Sequence, residues 1–498
     1  MPAQMTTRAQ VNGYRFLLKR YEHALVRWDV RMLHDPMRSQ SRSMIVGIVL
    51  GVLVVAGAVI LAFIKPQGSV GDSKIVMAKD SGALYVVVDN TLHPVLNLAS
   101  ARLITGSAAS PATVKDSKLT MRRGPLLGIP GAPGAMPGSA DHDSANWTMC
   151  DVVPLSKTGS ATAAAGVITT VIAGALDTSE GGARPLAPQQ ARLVTNSGAT
   201  YLLYQGRRAQ LDPNDAVLIR AMNLDEHTPA PIGTALLNAT EPVPPLRAPR
   251  IDRLGEPGPG KLSDVPIGGL IRVRAVDAEE LYVVLAGGVQ PVTPFTAEII
   301  RNANSQGMTD IRSVPPDRIV DVPVLGDLPV QQFPEQTPSI LSPSADPVFC
   351  ITWALGQHDG ISAVTLSAGR ELPLPGGAMP VVPATADGAG DRVDAVYVRP
   401  STGEFVRSVA MTPGSISNGP MFYLADTGIR YGIPDSATAQ VLGLPKQPKP
   451  VPKPIIEALA PGPTLARQDA LMSHDNLPQC PDASRRAGDC AQPIAVGN

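Results

Sequence analysis

The stretch that most constrains this chain is Met44–Ile64, MIVGIVLGVLVVAGAVILAFI, 21 residues without a charge, a side-chain amide or a hydroxyl. Backbone N–H and C=O groups find no water in hydrocarbon, so an apolar run this long is stable as a helix that bonds them internally. At ~1.5 Å per residue it covers about 31 Å, against a bilayer core of roughly 30 Å. Residues 1–43 carry eight Arg or Lys against three acids, whereas the rest of the chain carries 34 basic and 40 acidic residues. Basic flanks stay on the cytoplasmic side. Residues 1–43 are therefore expected in the cytoplasm and everything from Lys65 onward outside. The long leading segment, the length of the apolar run and the lack of an A-x-A site after Ile64 argue against a cleaved signal peptide. The reading is an uncleaved single-pass anchor.

Some 430 of the 498 residues then lie outside, enough for two or three domains. Aromatic residues make up only 4% of the chain, so its cores must rely on Val, Leu, Ile and Ala. A net charge of −1 argues against a dedicated nucleic-acid binder. All four cysteines, Cys150, Cys350, Cys480 and Cys490, fall beyond the apolar run. An even number outside the cytoplasm favours disulfides, and four cysteines allow three pairings. Cys480 and Cys490 stand ten apart in a polar tail, which favours a local bridge and leaves Cys150 for Cys350. WTMCDVV (147–153) and VFCITWA (348–354) both read as short strands, with a Trp three residues from each Cys on opposite sides. A zinc site is the rival reading, but it needs closely spaced Cys or His partners that neither pair has.

Residues 8–33 read as one helix. Val11, Tyr14, Leu18, Tyr21, Leu25, Trp28 and Met32 are spaced alternately three and four apart, an unbroken seam with a basic opposite face. So short a segment cannot bury the seam in a core of its own. It must lie on the membrane surface or against a partner, and three aromatic residues in one ordered row favour a protein partner. Pro36 is expected to break this helix.

Four segments resemble one another. They are 81–104, 197–219, 278–300 and 419–442, aligned on Tyr85, Tyr201, Tyr282 and Tyr423. Ten residues after each Tyr stands Val95, Leu211, Val292 or Ile433, and beyond it Ala101, Ala216, Ala297 or Ala439 in a helix-like run. Each copy reads as strand, tight turn, strand and capped short helix. The Tyr-to-Tyr intervals of 116, 81 and 141 residues leave two long inserts, each with one of Cys150 and Cys350. The fold class is thus a single-pass membrane protein with an N-terminal amphipathic helix, one transmembrane helix and an α+β exterior, in which a central β-rich domain is flanked by four small repeats. The expected boundaries are a cytoplasmic helix at 1–43, the span at 44–64 and repeat one at 65–104. The first part of the central domain follows at 105–195, repeat two at 196–239, a Pro/Gly linker at 240–264 and repeat three at 265–304. The second part of the central domain covers 305–415, repeat four 416–444 and a Pro-rich tail 445–498.

Chemistry-bearing motifs are sparse. Gly255–Lys261 fits G-x-x-x-x-G-K, but Leu262 stands where a phosphate-binding loop needs Ser or Thr, and Pro257 and Pro259 remove two N–H groups. No G-x-S-x-G or H-E-x-x-H occurs. His142 beside Asp141 and Asp143, and His358 beside Asp359, read as loop residues. No catalytic residue, cofactor or metal is expected. The alternative to a scaffold is an extracytoplasmic nucleotide or cell-wall hydrolase.

The stretch TRAQVNGYRFLLKRYEHALVRWDVRMLHDPMRSQSRS, followed at once by a single span, resembles the EccB family of the type VII (ESX) secretion systems of mycobacteria and related actinobacteria. The resemblance covers essentially the whole chain. It implies a structural subunit that organises the periplasmic side of a hexameric pore in the plasma membrane. Its partners would be an EccC-like FtsK/SpoIIIE ATPase, an EccD-like channel protein, an EccE-like subunit, a mycosin protease and further copies of itself. The family has also been linked to ATP hydrolysis, which the degraded 255–262 loop speaks against here.

Overall fold

The computed structural model describes residues 7–28, 30–31, 36–64, 70–139, 145–156, 166–177, 181–274, 279–355, 362–388, 390–411 and 419–474. Met32, Cys480, Cys490, His142 and His358 lie outside these residues. The chain divides into two compact units, Met1–Gly71 with Thr113–Leu119, and Asp72–Ala112 with Thr120–Asn498.

In the first unit, helix α1 spans Arg8–Arg27. The Gln10 side-chain carbonyl accepts from the Thr7 N–H at 2.9 Å, half of a capping box that starts the helix. The helix stops earlier than the 8–33 periodicity suggests. Trp28 turns left-handed at φ 55°, and its N–H closes on the Ala24 carbonyl, a helix-ending geometry. Trp28 therefore leaves the seam, while Val11, Tyr14, Leu18, Tyr21 and Leu25 stay on it with exposed side chains. Helix α2 spans Pro36–Ile64. Pro36 does not break α1, which has already ended at Arg27. It occupies the first position of the next helix, where its missing N–H has no partner to lose. Gln40–Leu61, 22 residues, is apolar and long enough to cross a bilayer.

The second unit holds five sheets. Four share a plan of three antiparallel strands, a capped helix and return segments that add parallel strands at the sheet flanks. Sheet I joins Ile75–Ala78, Leu84–Val88 and Thr91–Pro94, with Arg122–Arg123 parallel to the third strand and helix α3 at Leu98–Thr105. Sheet II joins Gln190–Asn196, Ala199–Tyr204 and Arg207–Leu211. Helix α4 (Ala216–Met222) follows, then Ala230–Pro231 beside the first strand, helix α5 (Thr234–Ala239) and Glu241–Val243 beside the third. Sheet III joins Leu270–Arg274, Glu279–Leu285 and Gly288–Val292, then helix α6 (Pro294–Ala303) and Arg312–Val314 beside the first strand. Sheet IV joins Gly403–Val409, Met421–Ala425 and Ile429–Ile433. Helix α7 (Ser436–Val441), Lys449–Pro452, helix α8 (Lys453–Ala458) and Ala460–Pro461 complete it in the order seen in sheet II.

The first helix of each sheet starts on a side-chain cap. Asn97, Asp215, Thr293 and Asp435 accept from the N–H of Ser100, Val217, Thr296 and Thr438 respectively. Four residues past the cap, Ala101, Ala297 and Ala439 are buried. In α4 that place belongs to Ile219, not to Ala216, which begins the helix and is exposed.

The inserts build a six-stranded central sheet, in the order 395–397, 168–173, 146–152, 348–355, 362–369, 184–185. Three hydrophobic cores link the elements. One joins sheets I and IV through Val86, Leu103, Tyr423 and Leu442. A second joins sheets II and III through Leu202, Leu218, Val283 and Phe295. The third seats sheets II and IV against the central sheet through Leu203, Leu236, Ile351, Trp353, Val406 and Ile455.

Four expected boundaries shift. The linker at 240–264 contributes the strand Glu241–Val243. Residues 403–409, expected in the central domain, are the first strand of sheet IV, and 312–314 belong to sheet III. The region from 445 is core-forming: Val451, Ile455, Ile456 and Leu459 are at most 1% exposed. Proline-rich segments read as connectors, yet proline is compatible with an edge strand, where one side of the backbone needs no partner. Fully burying an aliphatic side chain contributes ~1.5–3 kcal/mol, so these four together rival a typical domain stability of about 5–15 kcal/mol. Truncation after Leu444 is accordingly expected to abolish cooperative thermal unfolding of the five-sheet unit. A truncated protein with a sharp, reversible melt would contradict this.

Candidate functional sites

The central sheet is organised by the pairing of Asn146–Val152 with Val348–Leu355, one strand from each insert. Antiparallel register sets Cys150 opposite Cys350, Thr148 opposite Thr352 and Trp147 opposite Trp353. Side chains alternate between faces along a strand. Trp147, Met149, Ile351 and Trp353 enter the large core shared with sheets II and IV, while Cys150, Cys350, Val348 and Ile172 form a small core on the other face. The Cys150–Cys350 disulfide lies in that second core, both residues fully buried, and closes a separation of 200 residues. Closing so long a loop contributes on the order of 4–5 kcal/mol in the chain-entropy model. The Thr148 and Thr352 hydroxyls share a hydrogen bond of 2.9 Å beside it.

Three charged side chains, Asp151, Asp394 and Arg192, are buried against this sheet. Asp151 is 2% exposed and accepts from the Thr169 hydroxyl at 2.8 Å and the Gly233 N–H at 2.7 Å. It thereby ties the first insert to the start of α5. Asp394 accepts from the Thr169 N–H at 2.9 Å, so two carboxylates converge on one threonine. Burial, reinforced by Asp394 and Asp391, pushes the Asp151 carboxyl up to about 6 against the opposing hydrogen bonds. Arg192, 1% exposed, lies 5.7 Å from the Phe349 ring centroid, and its guanidinium makes no hydrogen bond among the described residues. Burial holds it down to about 10.

The 255–262 loop has the form of a hook. Its Gly258 N–H bonds the Val265 carbonyl at 2.9 Å and its Gly255 N–H the Ile267 carbonyl at 3.0 Å, so both donors are turned inward. A Cβ on Gly258 would stand 2.6 Å from the Leu262 carbonyl oxygen, which explains the glycine without any ligand. Lys261 pairs with Asp321 at 3.0 Å. Leu262 is fully buried. A phosphate loop needs free N–H groups, a free lysine and a hydroxyl after it; here two of the glycine N–H groups and the lysine are engaged within the chain, and Leu262 stands in the hydroxyl's place. Among the described residues no group of three or more His, Cys, Asp or Glu is placed to hold a metal. His93 and His474 contact the carbonyl oxygens of Pro125 and Gly128 and pin loops rather than line a cleft.

The family model for the type VII secretion system ESX-1 transport TM domain B, EccB, matches residues 3–479. The chain belongs to the EccB family. The ESX-3 secretion system ATPase EccB3 of Mycobacterium tuberculosis is 36% identical over 95% of this chain and 90% of its own length. Its counterpart in Mycolicibacterium smegmatis is 38% identical over 96% and 93%. The ESX-1 secretion system ATPase EccB1 of M. tuberculosis is 35% identical over 97% of each. Among solved structures, a chain of an intact ESX-5 inner membrane complex matches with a TM-score of 0.72 at 30% identity, covering 98% of this chain and 99% of that one. The EccB3 dimer of the ESX-3 core complex matches with a TM-score of 0.70 at 35% identity, over 80% of this chain and all of that one.

Of the residues singled out from the sequence, Cys150 and Cys350 meet, five of the seam residues lie on α1, and Lys261 is held in a surface ion pair. Asp151, Thr169, Gly233 and Asp394 were not foreseen. An acid inside the apolar run WTMCDVV was the only available signal, since its partners are remote in sequence.

Leu262→Ser completes the phosphate-loop pattern on paper. It is expected to lower stability by about 3–5 kcal/mol, because it empties a buried leucine site and inserts a hydroxyl. Denaturant unfolding measures this, and an unchanged midpoint would refute the hook. For Asp151 the folded-state value lies above the unfolded 3.8, so the folded protein holds its proton more tightly. Stability should fall as pH rises from 3.8 to about 6, by roughly 3 kcal/mol in all. Asp151→Asn should flatten that slope in the same titration; an identical slope would assign the dependence elsewhere.

Proposed function

We propose that this EccB protein is a structural subunit of a type VII secretion membrane complex, anchored by α2 with α1 in the cytoplasm and the five-sheet unit on the periplasmic side. The observation that carries the reading is end-to-end likeness to a chain of an ESX-5 inner membrane complex, over 98% of one chain and 99% of the other. A second solved structure is described as the periplasmic assembly of that complex, and it matches 84% of this chain. In this reading the four small sheets are copies of one repeat packed around the central domain, and Cys480 bridges Cys490. The complex also contains an EccC-like ATPase, an EccD-like channel protein, an EccE-like subunit, a mycosin and further copies of the chain. The relatives are named ATPases, which favours nucleotide hydrolysis as a second reading. The ion-paired Lys261, the buried Leu262 and the inward-turned loop amides support the scaffold instead.

The seam Val11, Tyr14, Leu18, Tyr21 and Leu25 is the proposed partner face, with Trp28 beside its end. All of these side chains are more than 40% exposed, an apolar stripe that water does not favour. Leu18→Asp with Leu25→Asp should leave membrane insertion intact and release the partner subunits. The test is gentle detergent extraction of tagged protein, a native gel and mass spectrometry of the bands. A large species containing an FtsK-like ATPase and a multispanning protein is expected for the native chain, and loss of both for the variant. A native chain that migrates alone while other membrane complexes stay whole would overturn the scaffold reading. ATP hydrolysis that disappears specifically in Lys261→Ala would establish the enzyme.

A further inference from the structure

A cleft of about 360 Å³ lies where the central sheet hands over to sheet IV. It sits beyond the C-terminal ends of the parallel strands 168–173 and 395–397, at the start of strand 146–152. Its volume is at the lower end of the ~300–1,000 Å³ typical of small-ligand sites. Ala173, Gly174 and Ala175 keep one wall low, while Tyr397 and Pro375 give the others an apolar lining.

The polar groups divide into two sets. At the base, Lys449 lies 3.0 Å from Glu404, and the Ser139 hydroxyl accepts from Lys449 at 2.7 Å and donates to Glu404 at 2.7 Å. This pair is largely buried, at 17% and 12% exposure, and neutral as a unit. Nearer the mouth, Arg399 is exposed, and neither its guanidinium nor the half-buried Asn146 amide has a partner among the described residues. The net fixed charge of the lining is thus one positive charge, carried by a guanidinium whose planar fork matches a carboxylate. A neighbouring amide is suited to bond a peptide group. The structure of the cleft gives the pair a purpose that the scaffold does not require.

We propose that this cleft binds the carboxylate-bearing end of a peptide with an apolar last residue. Arg399 takes the carboxylate, Asn146 the adjoining peptide group, and the Tyr397–Pro375 wall the terminal side chain. The neutral Lys449–Glu404 base repels neither sign and excludes a second charge. This goes beyond the scaffold role and does not depend on which complex the chain joins.

The test uses the full-length protein in detergent, titrated with N-acetyl-leucine, its carboxamide, and an acetylated tripeptide ending in leucine. Binding is read by calorimetry. Saturable binding of the acid, about tenfold weaker for the carboxamide, is expected from loss of the charge-assisted pair. The tripeptide should bind more tightly than N-acetyl-leucine. Arg399→Ala should weaken the acid about tenfold with an unchanged melting temperature, since Arg399 is exposed and unpaired. Asn146→Ala should weaken the tripeptide. Equal affinity for acid and carboxamide, or an Arg399→Ala protein that binds as before, would overturn the carboxylate assignment. Equal affinity for N-acetyl-leucine and the tripeptide would overturn the peptide assignment in favour of a small free carboxylate.

Discussion

The five-sheet unit depends on one antiparallel pairing, that of strand 146–152 with strand 348–355. These strands come from inserts about 200 residues apart, yet they form the middle of the central sheet. Their register places like with like: tryptophan beside tryptophan, threonine beside threonine, cysteine beside cysteine. A slip by one residue would move the tryptophans to the disulfide face and the cysteines into the large core. The covalent bridge therefore fixes which face each sheet packs against, besides limiting the unfolded chain. The flanking order is reciprocal. Strand 395–397 of the second insert lies beside the first insert's 168–173, and 184–185 of the first lies beside the second's 362–369.

The smaller sheets solve a different problem. Three-stranded meanders have two open edges, which invite unwanted pairing. In sheets II and IV the chain returns past a short helix and adds a parallel strand to each edge. Those return strands are rich in proline, as in Glu241-Pro-Val243 and Lys449-Pro-Val-Pro452, so the outermost backbone has fewer N–H groups to offer a further strand. Helices α5 and α8, which link the return strands, pack against each other beneath the central sheet. The same segments thus protect edges and supply core.

Local chemistry was the most legible part of the sequence. The apolar run, the alternating spacing of α1, the four aligned tyrosines and the helix caps are all short-range patterns, and each appears as an element. Boundaries were less legible wherever proline stood in for a connector, at 240–264 and from 445 onward. There tertiary pairing overrode a composition that favours loops. The end of α1 at Trp28 was invisible because the hydrophobic period continues past the point where the backbone turns. Of the candidate site, the Cys150–Cys350 bridge was readable from the matched strands around it, and the missing serine or threonine at Leu262 spoke against a nucleotide loop. The Asp151 network and the Arg399 cleft were not readable, because each joins distant segments, Asp151 with Gly233 and Asn146 with Arg399, that share no pattern in sequence.

The interleaved wiring also sets a timetable. At a synthesis rate of roughly 5–20 residues per second, Cys150 is followed by Cys350 only after roughly 10–40 s. During that interval strand 146–152 has no central partner, and Cys150 remains a thiol beside exposed Trp147 and Met149. Sheets II and III complete earlier, because all their strands lie between 190 and 340. The last strands of sheet IV close the structure only near residue 461. The chain is thus locked late, so a premature bridge between Cys150 and any other thiol would trap it before sheet IV is built.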